Sequence, residues 1–322
     1  MTPPLFLIGF GAGLSSALLY ASATSGSPLA LILFYVAPLP ILLAGLGWRH
    51  HAGLIGAVVA ALAIGLVFGP WAATFHFVMI GAPSWWLAYL ALLARPGATE
   101  SATEWYPIGR LVLWASVIGA TLIALTIPMV GASLEEYRAT LKALFEQALG
   151  SDRPGAPQLP AENRDAIINL MTALLPIMAA AMWTIVSLAN LWLAGRITRA
   201  SGRLTRPWPD LPGLTYPRQA TLAFLGATAA SLLPGLAGFA AELYAATFLV
   251  AFALLGLAVV HTTTRVAPTR GLILFGVYAL LLIQPWVGVF LAALGVAEQT
   301  VGVRKRFGPP PGPPPTATAP KP

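Results

Sequence analysis

Long apolar runs separated by short polar connections dominate the chain. Most of these runs are close to or above the roughly 20 residues that an α-helix needs to cross the hydrocarbon core of a bilayer. The runs cover residues 5–23, 28–47, 52–69, 71–94, 108–130, 167–195, 219–234, 238–262 and 271–303. Breaks fall at Ser27-Pro28, Gly69-Pro70 and Pro234-Gly235, because proline lacks the backbone donor that a continuing helix needs. The pattern predicts an all-α, polytopic transmembrane helix bundle with about 8–10 membrane segments.

Two runs have an unusual length. The last one, 271–303, is too long for one ordinary span, and Gln284-Pro285 divides it, which favours two helices that form a hairpin. The run 219–234 is short, so it is expected to tilt, to thin the bilayer or to be partly re-entrant. The number of spans in 219–262 and 271–303 stays open at this point.

Residues 131–166 interrupt the apolar pattern with acidic and basic residues. Ser133 followed by Glu136 is typical of a capping box, in which Ser133 is the N-cap and Glu136 reaches back. The apolar residues after this start recur at helical spacing: Leu134, Tyr137, Leu141, Leu144, Phe145 and Ala148. We expect an outer amphipathic helix of about 17 residues that lies on the membrane interface or over the bundle and gates access to it.

These patterns divide the chain into four parts. An N-terminal transmembrane bundle of about five helices covers 1–130, and the amphipathic helix and a linker cover 131–166. A C-terminal transmembrane bundle covers 167–303. The remainder, 304–322, is a basic, proline-rich tail whose composition favours polyproline II or disorder.

The composition agrees with a membrane protein. Asp, Glu, Lys and Arg make up 9% of the chain and hydrophobic types 57%, whereas a soluble protein carries about 25% charged residues. The charged residues of this chain are too few to cover the surface of a soluble domain of the same length. The chain has no cysteine, which excludes disulfides, thiolate metal sites and a cysteine nucleophile.

The positions of the charges matter more than the net charge of +7. Many basic residues lie in short connections between apolar runs: Arg49, Arg95, Arg110, Arg196, Arg199, Arg203, Arg206, Arg218, Arg265 and Arg270. Arginine in short connections is typical of cytoplasmic loops, so we expect the N-terminus and the C-terminal tail inside and 131–166 outside. No basic stripe interleaves with aromatic residues on a polar segment, so nucleic-acid binding is not expected. Membrane lipids are the expected partners of these arginines.

The first run, 5–23, ends in a sequence similar to a signal-peptide cleavage site, but no positive charge precedes it. We therefore expect it to be the first membrane helix. Small residues recur along it at every fourth position: Gly9, Gly13, Ala17 and Ala21. Such a ridge allows close packing, and it suits either a helix of a partner protein or another helix of this chain.

Polar residues inside the apolar runs are the candidates for chemistry, because burying them costs free energy. Glu242 is the one carboxylate near the interior of a run, where it can bind a cationic group or a proton, or cap a helix N-terminus. His76 can titrate during a transport cycle or be a hydrogen-bonded core residue. The polar residues of the run 167–195 are expected to form hydrogen bonds between helices: Asn169, Thr172, Thr184, Ser187 and Asn190.

Trp85 and Trp86 lie deep in their run, about 21 Å from its outer end and 14 Å from its inner end, whereas tryptophan usually marks the interfaces. Pro83 and Ser84 loosen the helix before them. Broken helices with deep aromatic rings are typical of transporter sites, and packing between helices explains the rings equally well. The hypothetical ligand site consists of Trp71, His76, Trp85, Trp86, Tyr89 and Glu242.

No motif for catalysis is present in the sequence. The chain lacks a P-loop, a Gly-x-Ser-x-Gly elbow, a His-Glu-x-x-His sequence and paired acids inside an apolar run. The four histidines have no partner at metal-ligand spacing. We therefore expect a protein that is not an enzyme and that uses no metal and no cofactor.

The chain resembles the YybS-like family of predicted bacterial membrane proteins. The resemblance rests on the glycine-rich opening 9–14, on 190–196, on 256–261, and on 294–298 before the basic residues 304–306. That family is distantly similar to the substrate-capturing subunits of energy-coupling-factor vitamin transporters, which hold a small ligand under an outer loop and dock their partner through small residues on the first helix. The resemblance implies a multi-pass protein of the bacterial cytoplasmic (inner) membrane, with other membrane subunits as possible partners.

Three functions are consistent with this sequence. The first is capture or transport of a small molecule, the second is a non-catalytic scaffold or accessory subunit of a cell-envelope complex, and the third is a lipid-modifying enzyme that uses Glu242 or His76. A transporter is expected to have a polar or aromatic cavity where the helices of 71–94 and 238–262 meet, closed by the helix of 133–149. A scaffold is expected to be filled with Leu, Ala and Gly at that place. An enzyme needs Glu242 and His76 within reach of one point.

Overall fold

A computed structural model describes residues 3–97, 103–149 and 161–307 of the chain. The predicted linker that follows the amphipathic helix and the proline-rich tail from residue 308 onward lie outside the described residues. Seven stretches in the described part are long and apolar enough to cross a membrane: Pro4–Ser25, Pro28–Trp48, His50–Phe68, Pro70–Leu92, Ile108–Val130, Asn163–Ala200 and Gly235–Thr263. The predicted all-α polytopic bundle is confirmed.

The elements follow one another in a simple order. The helices are α1 Pro3–Ala21, α2 Pro28–Val36, α3 Pro38–Trp48, α4 His50–Phe68, α5 Pro70–His76, α6 Ala82–Leu92, α7 Ile108–Val130, α8 Leu134–Ala148, α9 Ala161–Ala200, α10 Arg218–Ala230, α11 Gly235–Thr263, α12 Arg270–Ile283, α13 Val287–Val301 and α14 Val303–Phe307. A 3₁₀ turn, Ser22–Ser25, follows α1, and a π-helical turn, Phe77–Gly81, joins α5 to α6. The antiparallel strands β1, Ala94–Pro96, and β2, Thr103–Trp105, form a small hairpin.

The breaks predicted at prolines are confirmed. Ser27 caps α2, because its hydroxyl accepts a hydrogen bond from the amide of Ala30 at 3.2 Å, and Pro28 takes the first helical position. Gly69 has a φ of 91°, a backbone conformation that favours glycine, and α5 starts directly after it. The last run is also divided at Gln284-Pro285 as predicted, into α12 and α13.

Three features of the backbone were not predicted. The run 28–47 is interrupted at Ala37, which separates α2 from α3. The run 71–94 contains the π-helical turn Phe77–Gly81, which lies ahead of Pro83 and Ser84, the residues that were expected to loosen the helix. The connection from α3 to α4 is the single residue Arg49, whose φ of 141° is unusual for a residue other than glycine.

The chain forms two compact units. The first contains the described residues up to Pro209 together with 216–251, and the second contains 210–215 together with the described residues from Phe252 onward. Helix α11 therefore contributes its first part to one unit and its second part to the other. The predicted boundaries at 130, 166 and 303 stay a prediction.

The second unit is held together by close backbone packing and a half-buried ion pair. Gly256 of α11 faces the carbonyl of Leu291, and Gly295 of α13 faces the carbonyl of Phe252, so closely that a Cβ atom at either glycine would collide with the backbone. Arg304 pairs with Glu298 at 2.9 Å. The same guanidinium donates to the backbone carbonyls of 212 and 214 at 2.7 and 2.8 Å, which fixes that segment.

In the first unit, the small-residue ridge of α1 faces α4. A Cβ atom at Gly9 would lie 2.7 Å from the carbonyl oxygen of Ala52, and one at Gly13 would lie 2.6 Å from that of Gly56. Further along, Ala17 packs with Ala60 and Ile64, and Ala21 lies beside this cluster. In the structure the ridge of Gly9, Gly13, Ala17 and Ala21 packs against α4 of the same chain, which agrees with the alternative of an internal helix; docking of a partner protein through it stays a prediction.

The amphipathic helix is present as α8. The hydroxyl of Ser133 accepts a hydrogen bond from the amide of Glu136 at 3.1 Å, as predicted for the N-cap. The Glu136 carboxylate accepts from the amide of Ala132 at 2.8 Å, one residue earlier than in the usual capping box. Leu134, Tyr137 and Leu141 are buried.

The buried face of α8 is narrower than predicted. Leu144 is 56% exposed and Phe145 is only half-buried. The buried residues of α8 pack in one cluster with residues of α7, α9 and α11: Ile127, Ala180, Phe239 and Leu243. Of the two predicted positions for this helix, the structure therefore favours the one over the bundle.

Replacing Gly13 by Ala is expected to lower the free energy of unfolding by about 1–3 kcal/mol, because the new methyl group overpacks the contact with α4. The matched control is Gly11→Ala in the same helix, where a Cβ atom meets nothing within 4 Å. Alanine is the better helix former, so the control is expected to be neutral or stabilising. Thermal unfolding of both variants in the same detergent tests this, and equal effects would contradict the packing argument.

Candidate functional site

The residues of the predicted ligand site fall into separate places. His76 and Trp85 lie on the same interrupted helix, about 13 Å apart along its axis. Trp71 is 63% exposed and lines a small apolar groove with side chains of α5, the π-helical turn and α7. Glu242 lies on α11, beside residues that contact α8. The structure brings together Trp85, Trp86 and Tyr89, and it does not bring the other three residues to them.

His76 is fully buried, with a relative exposure of 0%. Its ring meets the ring of Tyr20 edge-on, with 4.9 Å between centroids. Neither ring nitrogen has a hydrogen-bond partner among the described residues, so the hydrogen-bonded core histidine considered from the sequence is not found there. A neutral imidazole has one donor and one acceptor, and both are available to a bound group.

The π-helical turn after His76 has an identifiable cause. Proline has no amide hydrogen, so Pro83 cannot donate to the carbonyl four residues earlier, which is that of Met79. The indole N–H of Trp183, on α9, donates to that carbonyl at 2.9 Å instead. A backbone carbonyl without a partner is unfavourable inside a membrane, because lipid offers no donor. Trp183 therefore stabilises the interruption between α5 and α6.

The interruption at Ala37 is stabilised in the same way. The side-chain amide nitrogen of Asn190, also on α9, donates to the backbone carbonyl of Tyr35 at 2.8 Å. The hydroxyl of Ser16, on α1, donates to the carbonyl of Ala37 at 2.7 Å. Asn190 thus forms the expected bond between helices, and its side-chain oxygen has no partner among the described residues. Thr172 and Thr184, by contrast, bond only to carbonyls of their own helix among the described contacts.

The two interruptions lie against each other. Ala37 packs in one cluster with Met79 and Ile80 of the π-helical turn. Tyr20, which faces His76, packs against the same cluster, and its ring also lies 5.4 Å from that of Phe34. We call this region, from Tyr20 and His76 to Ala37 and Asn190, the broken-helix site. It combines irregular backbone with buried polar atoms that lack partners among the described residues.

Trp85, Trp86 and Tyr89 belong to an aromatic cluster at the end of α6. Tyr89 stacks beside both tryptophans, with centroid distances of 6.3 and 5.5 Å. Trp86 meets Trp114 of α7 at 5.7 Å. His50 meets Tyr89 at 5.0 Å, so this histidine lies at the cluster and is only half-buried. Edge-to-face and offset ring pairs of this kind stabilise packing between helices.

Glu242 is not a helix cap. Helix α11 begins at Gly235, and only the first four residues of a helix have free amide groups, so Glu242 lies too far along the helix to cap it. Its side chain is half-buried, and no hydrogen bond or ion pair of its carboxylate is found within the described ranges. The neighbouring Tyr244 does reach another helix, since its hydroxyl lies 2.8 Å from that of Thr121.

One end of the first unit is strongly basic. Helices α3, α6 and α9 end there, and Leu46, Ala91 and Ala194 pack together near those ends. The guanidinium of Arg203 lies over Trp48, 4.4 Å from the ring centroid. We call this the basic end, and its arginines from 196 to 206 come from one segment of the chain.

The segment after α9 is fixed to the bundle at the basic end. Arg206 donates to the carbonyl of Ala91 at 3.1 Å, and burial lowers the pKa of this guanidinium from its usual value. The amides of Arg203 and Leu204 both donate to the carbonyl of Thr198, at 2.9 and 3.2 Å. Arg203 and Arg206 therefore lie on a folded segment rather than on an extended loop, whereas Arg196 and Arg199 belong to α9 itself.

Sequence reasoning missed Tyr20, Ser16 and Trp183 as residues of a site. The signal for the π-helical turn was present, because Pro83 shows which carbonyl loses its donor. The partner of that carbonyl is about a hundred residues away, and spacing along the chain does not reveal it. No group of three His, Asp or Glu side chains in the described part of the chain is placed to hold a metal ion.

Replacing Trp183 by Phe is expected to destabilise the protein by about 1 kcal/mol, because the carbonyl of Met79 loses its donor while the apolar ring is kept. The control is Trp192→Phe on the same helix, whose indole is 48% exposed. Thermal unfolding in neutral lipid nanodiscs measures both. Equal unfolding temperatures for the two variants would show that the interruption does not depend on this bond.

No curated protein and no solved structure matches the chain. A family described as a predicted membrane protein matches residues 13–298, which include the broken-helix site, the aromatic cluster and the basic end. Because this match covers most of the sequence, the chain belongs to the DUF2232 family of predicted membrane proteins.

Proposed function

We propose that this protein captures or transports a small molecule and holds it at the broken-helix site. The observation that carries the proposal is the fully buried His76, whose two ring nitrogens have no partner within the described ranges. A buried polar group without a partner costs about 1–3 kcal/mol. Polar groups kept inside a membrane at such a cost usually serve a ligand, an ion or a proton.

The polar atoms of the site suggest the chemistry of the ligand. His76 offers one donor and one acceptor, and Asn190 offers an acceptor oxygen that is not used by the protein among the described residues. The surrounding side chains are mainly apolar or aromatic, as in Tyr20 and Phe34. A small, largely apolar molecule with one hydroxyl, amide or amine group fits these requirements.

The interrupted helices support transport rather than binding alone. Transporters commonly place their substrate where two helices are discontinuous, because such places expose backbone groups and can rearrange. Here α2–α3 and α5–α6 are interrupted at neighbouring positions, and both interruptions depend on side chains of α9. The resemblance to substrate-capturing transporter subunits agrees with this proposal, apart from the ridge on α1, which α4 covers.

Replacing His76 by Leu tests the proposal with two opposite effects. Removing an unpartnered buried imidazole is expected to leave the ligand-free protein equally or more stable. It is also expected to abolish stabilisation by the ligand, which for the wild type reaches about 2.7 kcal/mol at a concentration of 100 times Kd. The measurement is thermal unfolding against a panel of small, largely apolar alcohols, amides and amines, extended by the molecules that mass spectrometry finds in the purified protein.

Two further variants separate the possible sites. His51→Leu changes an exposed histidine at the basic end and is expected to keep the ligand effect. Trp86→Ala disrupts the aromatic cluster and is also expected to keep it. If Trp86→Ala alone abolished the stabilisation, the ligand would lie at the aromatic cluster, and the broken-helix site would be the wrong place.

A scaffold or accessory subunit is the second candidate, and one observation favours it. The place under α8 is filled by Tyr137, Phe239 and Leu243 together with Ile127, which favours a scaffold over a cavity, although the filling includes aromatic rings and not only the Leu, Ala and Gly expected. A gate over a cavity at that place is not supported. If no compound and no co-purifying molecule stabilises the wild-type protein, the scaffold becomes the better proposal.

We do not propose an enzyme. Acid–base catalysis by Glu242 and His76 would require both groups near one point. In the described structure Glu242 belongs to the surroundings of α8, whereas His76 faces Tyr20 of α1.

We further propose that the basic end faces the cytoplasm of a bacterial cell and that α8 lies outside. The distribution of charges supports this, because the basic end carries Arg49, Arg110 and the arginines after α9, whereas acidic residues concentrate on α8. Arginine-rich connections are retained on the cytoplasmic side during insertion.

Since the chain has no cysteine, single introduced cysteines report this orientation without interference. In intact cells a membrane-impermeant maleimide is expected to label Ala139→Cys on α8 and to leave Ser201→Cys unlabelled. Both positions are exposed, so accessibility within the protein is matched. Permeabilised cells provide the control, in which both variants should react, and labelling of Ser201→Cys alone in intact cells would reverse the topology.

A further inference from the structure

The basic end contains arginines that contact tryptophan rings and have no acidic partner within the part of the chain that the structure describes. Arg196 lies 5.8 Å from the ring centroid of Trp192 and 5.5 Å from that of Trp208. Arg199 lies 5.3 Å from Trp208. Together with Arg203 over Trp48, these contacts hold three guanidinium groups at one end of α9.

The three guanidinium groups contact aromatic rings, and no hydrogen bond of their N–H groups to the protein is found within the described residues. A guanidinium carries five N–H donors in a planar fork that fits phosphate oxygens. Among the described residues the two ion pairs are Arg95–Glu104 and Arg304–Glu298. Arg196, Arg199 and Arg203 take part in neither, so their charge is available to an anion.

The rings and the turn give the three arginines a defined arrangement. Trp208 packs on Gly195, where a Cβ atom would lie 3.4 Å from the indole. The backbone of Arg203 is bonded to the carbonyl of Thr198 in the last turn of α9. Gly202 has a φ of 68°, and this left-handed residue turns the chain back toward the helix. A site organised in this way loses less conformational entropy on binding than three free arginine side chains.

An apolar surface leads along α9 to these arginines. Its side chains are all at least 46% exposed: Met178, Met182, Ile185 and Trp192. Ile185 lies about 16 Å along the axis from Arg196, close to half of the roughly 30 Å hydrocarbon core. The anion that fits is therefore one attached to an acyl chain, with the phosphate at the arginines and the chain along α9.

We propose that Arg196, Arg199 and Arg203, stacked on Trp48, Trp192 and Trp208, form a binding site for the phosphate of an anionic phospholipid. The site is independent of the broken-helix site, and the lipid binds whether or not a small molecule is transported. The shared chemistry is a phosphate oxygen on a guanidinium edge, which a free phosphate could also supply. The apolar surface of α9 selects the lipid.

Native mass spectrometry of the full-length, delipidated protein in detergent tests this site. The probes are dioleoyl phosphatidylglycerol, dioleoyl phosphatidylcholine and inorganic phosphate. We expect one phosphatidylglycerol molecule to bind far more tightly than phosphatidylcholine, and millimolar phosphate not to displace it. Displacement by inorganic phosphate would identify a free-anion site and overturn the assignment to a lipid.

The variant Arg196→Gln/Arg199→Gln/Arg203→Gln is expected to weaken phosphatidylglycerol binding about a hundredfold, since each basic residue near the membrane surface contributes about fivefold. The charge-matched control is Arg138→Gln/Lys142→Gln/Arg164→Gln, whose three basic residues lie on or after α8, away from the basic end. This control is expected to bind like the wild type. An equal loss in both variants would show that only net charge matters.

The corresponding triple lysine variant distinguishes a site with defined guanidinium geometry from electrostatic attraction by charge alone. Lysine keeps the charge but lacks the planar fork that stacks and bonds in two directions, so binding is expected to fall at least about tenfold. Wild-type affinity in the lysine variant would overturn the proposal. If the glutamine variant unfolds, Trp48→Leu removes the stacking on Arg203 without changing the charge and is expected to weaken binding about fivefold. Unchanged binding in Trp48→Leu would count against the site.

Discussion

Inside a membrane every backbone carbonyl and amide that is not paired within its helix needs another partner in the protein, because lipid offers none. In this protein that requirement concentrates on α9. Trp183 supplies the donor that Pro83 cannot, and Asn190 supplies one at the interruption between α2 and α3. The two side chains are seven residues apart and therefore project from one face of the helix. The positions of four other helices depend on this face.

The same dependence explains why irregular backbone persists near the centre of the first unit. A helix with the interruption at Ala37 or at the π-helical turn would be unstable alone in a bilayer, since its free carbonyls would face hydrocarbon. Hydrogen bonds from α9 and from Ser16 hold the two interruptions in place. Irregular helices held in this way can change arrangement when one bond is exchanged for another, which regular helices do not do. A ligand that bonds to His76 or Asn190 would act at this point.

Much of the fold follows from the sequence because it depends on local chemistry. Prolines and glycines between apolar runs mark the ends of helices, as at Gly69 and at Gln284-Pro285. Ser133 and Glu136 mark the start of α8 in the same local way. The face of α8 was predicted less well: Leu144 follows the periodicity but stays exposed, because burial depends on how far α7, α9 and α11 extend beneath it.

The candidate site depended on contacts that the sequence does not reveal. Trp85 and Trp86 are deep in their run, and sequence reasoning joined them to His76 because they share one interrupted helix. The structure separates them, since the tryptophans pack with Tyr89 and Trp114 whereas His76 faces Tyr20. Spacing along one helix gives distance and direction, but the partners of each side chain come from helices far away in the chain. The ridge of α1 shows the same limit, because small residues predict close packing without identifying the helix that approaches.

The polar side chains in the middle of α9 and those in its last turn have different roles. Near the middle, side chains of α9 donate hydrogen bonds to backbone carbonyls of other helices. The side-chain oxygen of Asn190 stays unpaired within the described residues. At its last turn the polar groups are cationic, stacked on rings and directed outward. A positive charge at a helix C-terminus is also favoured by the helix dipole, so Arg196 and Arg199 gain stability there without an acidic partner. One helix can therefore hold the irregular backbone in place and contact the lipid headgroups at once.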